Sequence, residues 1–336
     1  MQARKHIFIF LGIAVILLFL ADIALGSVNI SLSQLWAILK SGRDGSALAY
    51  IIWDIRLPKA IAAIMVGSGL SIAGLLLQSL FRNPLAGPSV LGISSGASLG
   101  VATYVMAGGM GVISYGLLSA GGLALFSILG SFLVLLVVMT ISMKVNDTVS
   151  LLIVGMMFGS ITSALVGVLQ YFSSAELVQH FIIWTFGSLA SMSWSELGLV
   201  SAVVLISSLF TLSLMKPLNA LLLSDEYAES MGVSVKKTRN IIIIISSLIA
   251  GIITAFAGPI VFVGVAVPHL TRNLFRSVDH RILVPAVMLN GAILMLICDI
   301  ISQLPGSTTV LPINSVTSLF GAPVVIWIIL QNRKRT

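Results

Sequence analysis

Charge is scarce in this 336-residue chain: Asp, Glu, Lys and Arg together make up 9% of it, against roughly a quarter in ordinary soluble domains. That scarcity excludes a soluble globular protein. Cysteine is almost absent, and the single Cys298 lies inside an apolar run. No disulfide within the chain and no Cys-based metal site can be built from it, and its expected role is packing. No GxxxxGK[ST] phosphate loop occurs, so the chain cannot bind ATP in the usual way, and any ATP-driven role requires a partner. The four histidines, His6, His180, His269 and His280, are far apart, and no HExxH or CxxC motif accompanies them. A metalloenzyme therefore has little support, an intramembrane enzyme is a weak alternative, and no catalytic or metal-binding residue is assigned. His269 stands in a Pro-His pair near a helix end, where capping or packing is its expected role.

What is present is apolar. Hydrophobic residues make up 58% of the sequence and the mean hydropathy is +1.12. Runs of the roughly 20 apolar residues that a bilayer-crossing helix needs recur along the chain. Bounded by charge, Pro or Gly clusters, they predict an all-α polytopic membrane protein with about ten transmembrane helices near 7–26, 59–80, 91–107, 114–139, 149–171, 194–215, 240–256, 260–274, 281–302 and 313–330. The first run, beginning after Arg4 and Lys5, exceeds the usual 7 to 15 residues of a signal-peptide core and is expected to be a retained helix. The whole of 1–336 reads as one transmembrane domain.

The net charge of +7 follows this topology rather than a nucleic-acid surface. With both termini in the cytoplasm, fourteen of the 18 Lys and Arg residues fall in cytoplasmic segments: Arg4, Lys5, Arg82, Lys144, Lys216, Lys236, Lys237, Arg239, Arg272, Arg276, Arg281, Arg333, Lys334 and Arg335. Lys40, Arg43, Arg56 and Lys59 lie outside. The bias obeys the positive-inside rule. The spans themselves are nearly bare of ionisable groups. Asp22 and Asp299 are placed near outer helix ends, in reach of interfacial water or a loop, so a proton or ion relay has little to work with.

Small residues recur within the spans, as in VGSGLSIAG (66–74), GISSGASLG (92–100) and GSITSALVG (159–167), where they let helix backbones approach closely. AGPSVLG (86–92) is echoed by AGPIVFVG (257–264). With the first segment on the cytoplasmic side and the second outside, the echo has the arrangement of an inverted repeat.

Three polar segments interrupt this pattern. The cytoplasmic stretch 216–239, with LLLSDEYAESMGVSVKKTRN over 221–240, carries Ser224, Asp225, Glu226, Ala228, Met231 and Gly232: an acidic turn, a small residue and a Gly break. These suit a short in-plane helix docking into another protein better than a solvated loop. In FRNPLAGPSVLG (81–92), Pro84 and Pro88 stop helix continuation, and Asn83 can satisfy freed backbone groups. In IRLPKA (55–60), Arg56 and Lys59 form a basic pair at the expected membrane edge, fit for lipid anchoring or for an acidic partner.

Residues 56–100, RLPKAIAAIMVGSGLSIAGLLLQSLFRNPLAGPSVLGISSGASLG, resemble the signature region of FecCD-type permeases. The likeness continues through WTFGSL (184–189), 221–240, GPIVFVGVAVPHLTR (258–272), DHRILVP (279–285) and FGAP (320–323). The resemblance implies the permease subunit of an ATP-binding-cassette importer for iron-siderophores, haem or cobalamin in the cytoplasmic (inner) membrane. It implies a homodimer, two ATPase subunits that carry the ATP and Mg, an extracytoplasmic binding protein, contact with membrane lipid, and no cofactor on this chain. By matching motifs, Arg56 and Lys59 would meet the binding protein and 221–232 the ATPase. Asn83, Pro84 and Leu85 would close the cytoplasmic end together with Thr148 and Val149, a place where hydroxyl residues are more usual than Val. Two departures stand out: Gln303 occupies a position where many members carry Arg, and TTVLPIN (308–314) lacks a common Glu before Leu-Pro and the Gly after it.

Overall fold

In a computed structural model, residues 2–26, 28, 30–109, 120–144, 148–304 and 309–333 are described. Among them every regular element is helical. Each of the ten expected spans has a counterpart: α1 (Gln2–Ala24), α4 (Leu57–Leu80), α5 (Ile93–Gly109), α6 (Ala120–Lys144), α7 (Thr148–Tyr171), α9 (Trp194–Ser213), α12 (Val235–Ala257), α13 (Val263–Phe275), α14 (His280–Ser302) and α15 (Ile313–Arg333). Residues 114–119 of the expected fourth span, 308 of the TTVLPIN segment, and Lys334 and Arg335 lie outside the described residues. Between these helices lie α2 (Leu32–Ser41), α3 (Ala47–Tyr50), α8 (Ala175–Thr185), α10 (Met215–Leu221) and α11 (Asp225–Ser230). Among the described residues seven helices are long and apolar enough to cross a membrane, and the chain is a multi-span membrane protein.

The centre of the bundle is α4, of which nearly every residue from Ala60 to Leu80 is buried. An apolar helix enclosed on all sides belongs in the interior of a membrane bundle. α14 runs antiparallel along it, joined at successive levels by Lys59 with Asp299, the backbones of Gly67 and Gly291, Ser68 with the Met288 carbonyl at 3.0 Å, and Ser79 with His280. α12 is antiparallel to α4 as well, with Ser246 Oγ reaching the Ala73 carbonyl at 3.4 Å. Small residues set these approaches. A Cβ on Gly67 would sit 2.2 Å from the Gly291 carbonyl oxygen, and one on Gly74 would sit 1.7 Å from that of Gly264. Cys298 is buried among these helices, as packing requires.

The helix does not begin at the IRLPKA motif. α3 runs through a π-helical turn, Ile51–Arg56, straight into α4. Pro58 has no N–H and cannot continue an α-helical ladder. The chain passes it on a wider turn, with Leu57 N–H donating five residues back to Ile52. This frees the Trp53 carbonyl, which accepts from Trp194 Nε1 at 3.0 Å. A π turn at such a point is how a helix accommodates a break in its ladder.

α13 has 13 residues, about 20 Å of helix, too short for a hydrocarbon core of roughly 30 Å. The expected crossing at 260–274 is thus a half-helix. Its first turn starts halfway along α4, with Gly264 against the Leu70 carbonyl. The chain at 81–92 folds back to the same level, so the two echo segments meet. Pro88 Cδ lies 2.9 Å from where a Gly264 Cβ would stand, and Val265 Cγ2 lies 2.7 Å from a Cβ on Gly87. Each re-enters the bundle from its own end, after Leu80 of α4 and after Ala257 of α12. Irregular backbone at membrane depth is tolerated only where protein or a water-filled cavity surrounds it, and none of residues 258–264 is exposed. Phe262, in the left-handed region at φ 68, starts α13 and rests on Gly321, where a Cβ would approach it to 2.2 Å. The FGAP motif supplies that space.

Candidate functional site

Two polar constellations lie at opposite ends of α4. At the Leu57 end, Arg56 is not an exposed docking charge. It is buried, and its guanidinium donates to the carbonyls of Ile23 at 2.7 Å, Ala24 at 3.0 Å and Val28. These include the last carbonyls of α1, so the cation caps that helix where the dipole is negative. Lys59 pairs with Asp299 at 3.0 Å, the two side chains 11% and 2% exposed. Gln303 Nε2 donates to Asp22 Oδ1 at 2.8 Å and to Asp299 Oδ2 at 3.1 Å.

Asp22 and Asp299 therefore do not reach water singly, as their sequence positions suggest. They form one buried cluster with Lys59, and the amide at Gln303 spans both carboxylates. A cleft of about 280 Å³ opens beside it, lined by Arg56, Lys59, Asp299, Gln303 and the 187–190 turn among others. That turn belongs to WTFGSL: Ser188 N–H donates to the Ala257 carbonyl at 2.9 Å. Asn314 ties it to the re-entrant backbone, donating through its own N–H to the Phe186 carbonyl at 3.1 Å and accepting from Val261 N–H at 3.4 Å.

At the Leu80 end, the segment between α9 and α12 resolves into α10, α11 and the first turn of α12. Residues 235–239 of the expected loop are therefore helical. Ser224 caps α11, its hydroxyl accepting from Tyr227 N–H at 2.9 Å, and Asp225 and Glu226 occupy the first turn. Acids there complement the helix dipole. Backbone N–H and the Ser224 hydroxyl hold the Glu226 carboxyl below its ordinary value. Ala228 is fully buried, and Gly232 turns the chain at φ 80.

Leu223, Tyr227 and Met231, four residues apart, are 65%, 48% and 61% exposed in this otherwise polar segment. Together they form an apolar stripe rimmed by charge. Leu223 and Tyr227 were legible only in that spacing. The neighbouring turn at 81–92 behaves as its sequence suggests at Asn83, whose Oδ1 accepts from Leu85 N–H at 2.9 Å. Leu85 and Val149 are exposed, and Pro84 is half-buried. Thr148 opens α7. The following 3₁₀ turn, Pro88–Leu91, packs on α7 at Gly155, where a Cβ would lie 2.4 Å from the Val90 carbonyl.

Sequence reasoning missed Arg82, His280, Asn219 and Ser79. Arg82, at φ 47, donates Nε to the Leu221 carbonyl at 2.9 Å and pairs with Asp225. His280 is 1% exposed and bridges Ser79 and Asn219. His269 lies edge-on to Trp327 with ring centroids 6.5 Å apart. No group of three metal-ligating side chains occurs among the described residues.

A bundle with paired re-entrant segments, a polar cleft at one end and a charge-rimmed apolar helix at the other belongs to the class of multi-span transport proteins. The profile of the FecCD transport family matches residues 14–331, and the chain belongs to that family. It is 35% identical over 332 residues to the hemin transport system permease protein HmuU of Yersinia pestis, covering 97% of this chain and 96% of that one. It is 36% identical over 284 residues to the vitamin B12 import system permease protein BtuC of Klebsiella pneumoniae, covering 84% and 83%. A solved chain described as of the metal-chelate ABC transporter type, in an inward-facing conformation, superposes with a TM-score of 0.85 at 30% identity. That match covers 97% of this chain and 99% of the other.

Proposed function

We propose that this chain is the permease subunit of an ATP-driven importer that carries a bulky metal chelate across the cytoplasmic membrane. The similarity to permease proteins over nearly the full length of both chains carries the reading. In this assignment the Leu80 end faces the cytoplasm, together with both chain termini. Ser224, Asp225, Glu226, Ala228, Met231 and Gly232 then form the surface that enters the ATPase, and the exposed stripe at Leu223, Tyr227 and Met231 supports that role. Two copies of the chain would sit on two ATPase subunits, which carry ATP and Mg. Asn83, Pro84, Leu85, Thr148 and Val149 would form the cytoplasmic constriction.

Transport itself needs no covalent chemistry from the permease. ATP binding would close the ATPase pair and displace α11, and the helices would rock to open the pathway to one side at a time. The spans, almost free of unpaired charge, suit a pathway that must release its cargo.

For the opposite end we propose docking of an extracytoplasmic binding protein at the cleft beside Lys59. Arg56 and Lys59 are both engaged within the chain, so an acidic partner side chain would have to compete for Lys59 with Asp299. Arg56 would act by fixing the end of α1.

The cargo we propose is a ferric siderophore. A second reading, haem or cobalamin, is favoured by the cargoes named for the relatives. Parallel uptake of ferric siderophore, haem and cobalamin into vesicles holding the complete transporter separates them. Uptake of haem or cobalamin without siderophore overturns the first reading.

A further inference from the structure

The α10–α11 segment is fastened to the membrane helices by two polar anchors, one of them buried where Ser79 meets His280 and half-buried at Asn219 and Asp279. The buried anchor starts at the N-cap of α14. Asp279 Oδ1 accepts from Arg281 N–H at 2.9 Å and from Asn219 Nδ2, on α10, at 2.8 Å. A carboxylate here is acceptor-only, so the amide orientation of Asn219 is set. Its Oδ1 therefore faces His280, accepting from the backbone N–H at 2.9 Å and standing 2.7 Å from Nδ1.

An amide oxygen cannot donate, so Nδ1 carries the proton of the neutral ring and Nε2 is left as acceptor. Nε2 lies 2.7 Å from Ser79 Oγ, on the last turn of α4. The chain of donation runs Ser79 to His280 to Asn219 to Asp279, and each member has a partner of the right kind. The same serine oxygen lies 2.8 Å from the Leu75 carbonyl. Its one proton goes to the ring while His280 is neutral and to that carbonyl when another donor meets the oxygen.

The second anchor is Arg82, just past the end of α4. It holds the Leu221 carbonyl at the end of α10 and the Asp225 carboxylate at the start of α11. Both anchors thus join the docking segment to α4, and the buried one joins it to α14 as well. α4 and α14 are also locked together by close glycine contact at Gly67 and Gly291.

We infer that Ser79, His280 and Asn219, with Arg82, are positioning residues that make the docking segment, α4 and α14 move as one body, so that they set the coupling of transport to ATP hydrolysis. The inference rests on the docking role proposed for α11. Hydrogen bonds are directional and apolar packing is not. A segment held only by Leu218, Leu221 and Ala228 could slide over the bundle when pushed; one held by these bonds carries the displacement into α4 and α14. In the low dielectric of the interior, such a chain strengthens as a unit and fails as a unit when one member is removed.

The test uses the complete transporter in proteoliposomes and reads three quantities: retention of the ATPase on the permease, basal ATP hydrolysis, and chelate taken up per ATP hydrolysed. Ser79→Ala, His280→Ala and Arg82→Gln should keep the first two near the unmodified level while uptake per ATP falls about tenfold, within the range for residues that couple two sites. Ser79→Thr, which keeps the hydroxyl, should restore the ratio, an outcome that loss of packing alone does not produce. If His280→Ala does not fold, Ser79→Ala and Arg82→Gln decide. An unchanged ratio in both overturns the linkage and leaves the docking role standing. Failure of the unmodified permease to retain the ATPase overturns the docking role and the linkage with it.

Discussion

Lys59 Nζ stands 3.0 Å from Asp299 Oδ2, with both side chains shielded from solvent, and this pair closes the Leu57 end of the α4–α14 contact. Removing one partner of a buried ion pair leaves an uncompensated charge and costs about 3–5 kcal/mol, whereas replacing both with apolar residues is often neutral. Lys59→Met should therefore lower the melting temperature in detergent sharply, and Lys59→Met with Asp299→Leu should recover most of the loss. Additive losses in the double variant would contradict the pairing.

The glycine contacts give a prediction that separates packing from flexibility. Gly74→Val places a side chain against the Gly264 carbonyl and should cost about 3 kcal/mol, the upper end for overpacking. Gly198, with nothing within 4 Å of its missing Cβ, should accept Ala with a change under ~1 kcal/mol. Thermal melting of the two variants side by side checks the contrast.

At the surface proposed to dock the ATPase, Glu226→Lys and Gly232→Arg should abolish ATP-driven uptake while the protein still folds and inserts. Gly232 faces open space at a positive φ, so part of the effect of Arg there is backbone strain of about 1–2 kcal/mol. Gly232→Ala isolates that part and should retain measurable uptake. Normal uptake with Glu226→Lys would contradict the docking role.

Asp279 is held below its ordinary carboxylate value, first by the Arg281 backbone N–H and then by Asn219. A depressed carboxylate contributes stability that is complete above its unfolded value of 3.8 and disappears as pH falls through the lower folded value. Melting temperature should thus be insensitive to this group from about pH 5 to 8 and fall below about pH 4. Asp279→Asn should be less stable near neutrality and should lack this share of the acid dependence, which parallel melting curves would show.

The ten apolar segments were legible because a bilayer demands about 20 apolar residues per crossing, and the family motifs were legible as continuous strings. Pro58 misled: a proline near a helix start reads as the first turn, and nothing local announces that the helix passes it on a π turn from Ala47. α13 read as a span because its apolar run joins the preceding loop, although Gly258 and Phe262 break the helix. The short helices α10 and α11 were legible in the polarity of 216–239, too polar to enter a bilayer. The Asp22, Lys59, Asp299 and Gln303 cluster and the Ser79, His280 and Asn219 chain were not, because their members lie far apart in sequence and meet only when α1, α4, α10 and α14 pack. Gln303 read as a missing charge; in place it is an amide that serves two carboxylates.

The most direct test of the central claim is uptake of a bulky metal chelate into proteoliposomes containing this permease with a cognate ATPase and binding protein, measured with and without ATP. The account predicts accumulation that requires ATP and both partners. Accumulation by the permease alone, driven by an ion gradient without ATP, would contradict it.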